Sequence, residues 1–461
     1  MVIKMKREIT NELIDWKNRT NRKPLIIRGA RQVGKTYSIE QFARSHFKNF
    51  VKINFEEQNE LKSIFKIQKT DQILNELSIL YSTDIIYGET LIFLDEIQAC
   101  PEAIVTLRYF FEKHPALHII AAESLLDFAL KEMKYSMPVG RIEFCYMYPM
   151  SFKEFIIALS EDRILNYMEN YSLDSDFSPA IHKKILEFLR LYLFIGGMPE
   201  AVKTYIHEKQ LSKVERVLSN ILTTLQYDFA KYGNRKQQEY LVSVLRYSAQ
   251  NIGKKVKYTN IDRDIRSSYL KESFHRLELA RLLHCIRHTN ASRIPLVNHV
   301  NENIYKPLLL DIGLANHLCG IRLIELEKIL TSHEGALAEQ FIGQELLTIS
   351  APYIDPKLYY WTREEKNSNA EIDYVYQYNN SVYPIEVKAG KTGSLKSLHV
   401  YLFEKNLKIG IRFNLDLPST GKFKTKVSTR NKLGEIEYTL ISLPLYMCFN
   451  LPELLNIPTN G

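Results

Sequence analysis

Residues 24–43, PLIIRGARQVGKTYSIEQFA, decide how the front of the chain folds. Leu25 to Ile27 are a short apolar run of the kind that forms a buried strand, and the apolar spacing from Tyr37 onward predicts a helix. Between them Gly29 to Thr36 fit GxxxxGK[ST], the spacing of a phosphate-cradling loop. Glycines let backbone N–H groups curl round phosphate oxygens, and the following helix N-terminus adds positive dipole. The cradle then comprises Gly29, Ala30, Arg31, Gln32, Val33, Gly34, Lys35, Thr36 and Tyr37. Lys35 is placed to reach the β and γ phosphates of ATP, and the Thr36 hydroxyl to hold Mg²⁺. A glycine–lysine turn without a ligand is the plainer alternative, and the strand–loop–helix setting argues against it.

Further on comes TLIFLDEIQACPEA, in which Leu91 to Leu94 predict a buried parallel strand ending in Asp95 and Glu96. Ligands of such sheets sit at the carboxyl ends of the strands, where these acids fall. Asp95 would position Mg²⁺ and Glu96 would orient and polarise the attacking water. The other reading, two acids capping a helix, does not account for their pairing with the loop.

A length of 461 residues suits two or three domains, and 45% hydrophobic with 25% charged residues is ordinary for a globular chain. No apolar run approaches the roughly 18–20 residues needed to cross a bilayer, and MVIKMKREIT lacks the apolar core of a secretion signal. The expectation is a cytoplasmic protein without membrane contact. Cysteines 100, 145, 285, 319 and 448 are dispersed and odd in number, against a disulfide framework or structural zinc. A net charge of +8 permits nucleic-acid contact without requiring it.

RGARQVGKT, LIFLDEIQ, GGMPEAV and DIGL together resemble prokaryotic AAA-type ATPases with a C-terminal domain of uncharacterised role, over residues 5 to 440. The resemblance implies an α/β fold: an AAA-type P-loop parallel sheet over 1–150, then a helical lid over 151–232. It also makes Ser124, after the strand in LHIIAAESLL, the polar sensor of nucleotide state. Glu123 departs from the glycine expected there, so ATP binding is better supported than turnover. In MPVGRIEFCYMYPMSFKEF, Arg141 is the arginine-finger candidate, acting within the chain or from a neighbouring subunit; a surface arginine after a turn glycine is the alternative. AAA-type cores often form rings, which leaves an oligomer open.

Within 151–232 apolar positions recur at helical spacing until Gly196, Gly197 and Pro199 break them. Residues 233–315 read as a winged-helix-like domain. QQEYLVSVLRYSAQNIG, YTNIDRDI and SSYLKESFHRLELA give three helices, and LLHCIRH with NIYKPLLLDIGL a hairpin wing. Lys271, His275 and Arg276 share a helix face that suits DNA phosphates, or simply water.

Residues 325–450 carry the second constellation. GALAEQFIGQELLTI reads as an amphipathic helix containing Glu339. NAEIDYVYQYNNSVYPIEVKAGK reads as a hairpin about Asn379–Asn380. Pairing Tyr378 with Ser381 sets Asp373 opposite Glu386 and Glu371 opposite Lys388, all on one face. Opposed like charges destabilise a strand pair, and a divalent cation would remove that conflict. Asp373, Glu386 and Lys388 resemble the PD-(D/E)xK nuclease core, with Glu339 matching its helix acid and Ile372 in place of the motif's proline. That resemblance makes Glu339, Asp373 and Glu386 metal ligands and Lys388 the catalytic lysine; a plain Glu371–Lys388 salt bridge is the alternative. Lys391 and Lys396 add basic character where nucleic acid would pass. Taken together these features point to a Mg²⁺-dependent ATPase acting on or near DNA with a metal-dependent nuclease domain. A non-nucleolytic ATP switch that binds a protein or nucleic-acid partner is the second reading, and an ATP-binding protein with little turnover the third.

Overall fold

Strand β1 (Leu25–Arg28) lies inside a five-stranded parallel sheet, between the edge strand β5 (Glu143–Tyr146) and the central β4 (His118–Glu123), with β3 (Thr90–Asp95) and β2 (Asn49–Asn54) beyond. The computed structural model describes residues 5–124, 137–231, 233–290, 293–320, 334–363, 370–388, 395–428 and 433–456; Lys391 lies outside them. The strand order is β2-β3-β4-β1-β5. Every residue of β3 and β4 is buried, as expected where both faces of a parallel sheet are covered. Alternation sorts them into two cores: Ile26, Ile92 and Ile119 face Leu77 and Leu107, while Ile27, Phe93 and Ile120 face Trp16 and Phe42. Because β4 separates β1 from β3, its end at Glu123 falls between the phosphate loop and the Asp95–Glu96 pair.

Helices Phe152–Ala158, Asp162–Glu169, Pro179–Ile195, Pro199–Glu208 and Leu211–Tyr227 follow. The first opens with a capping box in which the side-chain oxygens of Ser151 and Glu154 each accept the other's backbone N–H. Gly196 ends the third at φ 74°, and a Cβ there would lie 2.1 Å from Asp311 Oδ1. Asp311 Oδ2 accepts the Gly197 N–H at 2.6 Å, while its Oδ1 caps the helix Ile312–Leu318 at Leu314 N–H. GGMPEAV and DIGL are thus two halves of one buried joint.

In the middle segment, helices Arg235–Gln250 and Ser267–Leu279 precede an antiparallel pair, β6 (Leu283–Thr289) and β7 (Val300–Leu309). The helix expected at YTNIDRDI is a single 3₁₀ turn, Tyr258–Asn260. Asp262 accepts the backbone N–H of Asp264 at 2.8 Å, a local bond that competes with helix. Nor is the hairpin a free wing: β6 pairs in parallel with β8 (Tyr359–Thr362), which pairs with β9 (Glu371–Ile372).

The C-terminal sheet has the order β10-β11-β12-β14-β13, built from Tyr374–Tyr378, Ser381–Val387, Ile409–Asn414, Leu433–Pro444 and Ser419–Ser428 in that order. Its two central pairings are parallel and its two edges antiparallel. Helix Glu334–Thr348 differs from the amphipathic expectation, since its residues from Leu337 to Leu347 are buried apart from the half-buried Glu339. Its buried polar groups are satisfied by other segments' backbones: Gln340 bonds Leu309, Gln344 accepts from Ile312 N–H, and Glu345 accepts from Phe152 N–H.

Candidate nucleotide site and a second acidic centre

The loop after β1 has the backbone a phosphate cradle needs. Gln32 and Gly34 take positive φ (65° and 92°), and a Cβ on Gly29 would lie 2.3 Å from the Met147 carbonyl oxygen. Lys35 opens helix Lys35–His46, and its buried ammonium donates to the Gly29 and Ala30 carbonyls, both at 2.8 Å. Burial lowers its pKa against the opposing pull of Glu96, Glu123 and Asp95. The Thr36 hydroxyl donates to Asp95 Oδ2 at 3.0 Å. Burial raises the Asp95 carboxyl, and that hydrogen bond draws it back.

Glu96 holds a left-handed backbone, φ 50° and ψ 48°, an uncommon conformation for a non-glycine residue. One of its oxygens accepts from Ser124 Oγ at 3.1 Å and from Gln98 Nε2 at 2.5 Å. Asp95, Glu96 and Ser124 therefore stand beside the loop as a connected group. Glu123, the departure from the expected glycine, pairs with Arg28 Nε at 2.6 Å, its register partner on β1.

A cleft of about 750 Å³ lies over the loop, lined by Gly34, Lys35, Thr36 and Glu96 on one side and by Pro199, Thr224, Tyr227 and Asp228 on the other. That volume suits a nucleotide-sized ligand. The helical side is tied down by Gln32 Nε2 to Thr224 Oγ1 at 3.0 Å and by Arg31 to Asp228 at 3.2 Å. Ala30 and Val33 are buried in the loop's underside, while Tyr37 lines the cleft.

The second centre forms around the C-terminal hairpin, which has the register Tyr378↔Ser381 and Tyr374↔Ile385. Asp373 and Glu386 are both buried; Asp373 Oδ2 accepts from Val387 N–H at 2.8 Å, and Glu386 Oε1 pairs with Lys388 at 2.6 Å. Burial, then Asp373, pushes the Glu339 carboxyl up to about 8 and Glu386 up to about 7. Glu371 does not face Lys388. The strand breaks at Asp373, which turns Glu371 onto β8 and into an ion pair with Lys306 at 2.5 Å. Among the described residues no three His, Cys, Asp or Glu side chains converge as a ready metal cage. On helix Ser267–Leu279, Lys271 bonds Asn303 at 2.7 Å and Arg276 pairs with Glu272 at 3.0 Å, while His275 is exposed. Lys396 opens the helix Lys396–Lys405.

Residues 21–156 match the family model described as AAA domain. That match covers the phosphate loop, the Asp95–Glu96 strand end and Ser124. Residues 186–325 and 334–420 match two models described as domains of unknown function, DUF8612 and DUF4143. An uncharacterised protein of Methanocaldococcus jannaschii is 27% identical over 212 residues, 46% of this chain and 43% of that one, so the match spans less than half of the relative. The Aeropyrum pernix ORC2 protein, solved as ADPNP–ADP complexes, aligns over 71% of this chain and 96% of its own at 12% identity and TM-score 0.36. The Thermotoga maritima RuvB Holliday junction branch migration motor aligns over 60% and 87%, at 15% identity and TM-score 0.28. AMPPCP-bound DnaA from Aquifex aeolicus aligns over 59% and 86%, at 12% identity and TM-score 0.28. Among the described residues no helix is long and apolar enough to cross a membrane.

Arg141 sits away from the AAA domain's cleft. It precedes β5 at the amino ends of the parallel strands, opposite the phosphate loop, and pairs with Glu112 at 3.0 Å. The sheet's direction does not favour an in-chain arginine finger, which leaves a finger supplied by a neighbouring subunit or a plain surface arginine paired with Glu112.

Three residues went unread in the sequence. Arg7 is buried behind the loop, donating to the Val33 and Tyr148 carbonyls at 2.7 Å each and pairing with Glu154 at 2.9 Å. Arg28 neutralises Glu123. Lys306 enters the acidic centre from β7; a lysine inside the apolar run of NIYKPLLL was the available signal. Burial alone would lower the Lys306 pKa, but Glu339, Asp373 and Glu371 outweigh it and raise it.

Proposed function

We propose that the chain is a Mg²⁺-dependent ATPase working on or beside DNA, whose nucleotide state is passed to a nuclease-like C-terminal domain. The observation that carries the reading is the meeting of Lys35, Thr36 and Glu96 in one cleft, with Asp95 bonded to Thr36 and Ser124 to Glu96 behind them. ATP, when bound, supplies the electrophilic γ-phosphate. The loop N–H groups and Lys35 balance its charge, and Thr36 with Asp95 would hold Mg²⁺. Glu96 orients the attacking water and draws its proton, while Ser124 fixes the carboxylate. Glu123, neutralised by Arg28, adds little repulsion against a γ-phosphate. An arginine finger, Arg141, comes from a neighbouring copy in an oligomer.

Lys271, His275 and Arg276 on the winged-helix-like segment, with Lys396, supply phosphate contacts to DNA. At the C-terminal centre Asp373 and Glu386 would hold a divalent cation, with Lys388 orienting water or balancing charge at the phosphorus. The raised carboxyls of half-buried Glu339 and buried Glu386 fit that group, because a cation offsets the cost of burying their charge. A second reading, a non-nucleolytic ATP switch that only binds a protein or nucleic-acid partner, is favoured by one observation: Lys306 already occupies the space between Glu339 and Glu371.

Mg²⁺-ATPase and nucleotide-binding assays test the first part. Lys35→Ala is expected to lose ATP binding, and Glu96→Gln to keep binding while turnover falls by about 10²–10⁴-fold. Turnover unchanged in Glu96→Gln sinks the assignment. Incubating single-stranded and plasmid DNA with Mg²⁺ or Mn²⁺ tests the second: cleavage lost in Lys388→Ala supports the nuclease, and no cleavage by the intact protein selects the switch.

A further inference from the structure

Four carboxylates act on one another in the C-terminal centre, those of Glu339, Glu371, Asp373 and Glu386, and two ammonium groups act on them, Lys306 and Lys388. Fully ionised, four against two leaves two negative charges, the complement of one divalent ion. The lysines are not spread evenly. Lys306 Nζ lies 2.5 Å from Glu371 and 3.7 Å from Glu339, whereas Lys388 takes a single oxygen of Glu386 at 2.6 Å. Among the described residues Glu386 Oε2 has no hydrogen-bond partner, on a residue only 3% exposed. The uncompensated charge therefore sits on the Asp373–Glu386 side.

Lys306 is not part of the hairpin motif. It comes from β7 of the preceding segment, is 1% exposed, and lies 5.0 Å from the centre of the Tyr360 ring, so its ammonium is held out of water. A divalent ion placed between Glu339 and Glu371 would sit against this fixed positive charge in a poorly screened interior. We propose that Lys306 stands in for a second metal ion, so that the centre takes one divalent cation, at Asp373 and Glu386. The proposal rests on the reading of this centre as a metal site and adds its stoichiometry and the residue that sets it. Lys306 acts through the carboxylates it holds, as a positioning residue.

The test is Mn²⁺ titration calorimetry on the full nucleotide-free chain carrying Asp95→Asn, which silences the AAA site. One Mn²⁺ per chain, lost in Glu386→Gln, is the expected result. Lys306→Gln should admit a second Mn²⁺ or bind the first at least tenfold tighter, and Lys306→Arg should keep the single site. Two Mn²⁺ with Lys306 present, or no change in count and affinity in Lys306→Gln, overturns the proposal alone. No Mn²⁺ at all overturns both it and the metal reading beneath it. Should Lys306→Gln not fold, the count with Lys306 in place decides.

Discussion

Arg28 Nε lies 2.6 Å from Glu123 Oε1 across neighbouring parallel strands, and both side chains are largely buried. The carboxylate that breaks the expected pattern at the sensor strand thus brings its own counter-charge, one residue before the phosphate loop begins.

Removing one partner strands the other. Arg28→Met should destabilise the front domain by up to about 3–5 kcal/mol, because buried Glu123 loses its paired charge. Arg28→Met with Glu123→Gln should recover most of that loss. Trp16, buried in this core, reports the unfolding by fluorescence in a Trp361→Phe background. Equal stability of the single and double variants contradicts the pairing.

The joint at Asp311 has a similar signature. Asp311→Ala removes a helix cap, worth about 1 kcal/mol, and leaves the buried Gly197 N–H unsatisfied for about 1–3 more. Urea unfolding should show both together, about 2–4 kcal/mol. Gly196→Ala should be at least as harmful, since it combines a left-handed φ with a Cβ 2.1 Å from Asp311 Oδ1.

Stability of the metal-free protein should fall as pH rises from about 4.5 to 8. Glu339 and Glu386 titrate near 8 and 7 in the folded chain, against 4.5 for a free glutamate. Between those values the folded state holds protons that the unfolded state has released, so raising the pH favours unfolding. Each group contributes at most about 1.4 kcal/mol per pH unit in that window. Melting temperatures across pH 5–8.5 check this, and Mn²⁺ should restore stability at the alkaline end while releasing protons into a weakly buffered solution. A fall with pH that is shallower in Glu339→Gln than in the parent chain would agree; equal slopes in both would not.

Tyr227, 77% exposed at the rim of the nucleotide cleft, is placed to stack on a base. Tyr227→Ala should weaken ATP binding by about 1–3 kcal/mol, the range for an aromatic platform, and leave tripolyphosphate binding as it was. Equal weakening of both would assign the tyrosine to the loop's shape instead.

What could be read from the chain alone was local. The glycines, Lys35, Thr36 and the acid-tipped strand declare themselves because their chemistry lies within one strand–loop–helix or at one strand end. Arg28 was adjacent to that loop, yet its role depends on β4 lying beside β1, which spacing does not reveal. The hairpin register could be read from its two-residue turn, but the break at Asp373 that sends Glu371 to Lys306 depends on β8. The helix expected at YTNIDRDI gave way to local aspartate bonding at Asp262. Helix Glu334–Thr348 seemed half-exposed because its glutamines and glutamates are polar; their backbone partners come from segments far away in the chain.

The pairing of β6 with β8 carries a consequence for how the protein can be dissected. Expressing the region from 334 onward by itself would strip β8 of its neighbour and bare an edge of tyrosine and tryptophan, an invitation to self-association. It would also discard Lys306 and leave its acidic partners without their cation. A cut at 233, ahead of Asn234 and its helix cap, keeps both but parts Asp311 from Gly197 and Glu345 from Phe152, so the full chain is the piece to make.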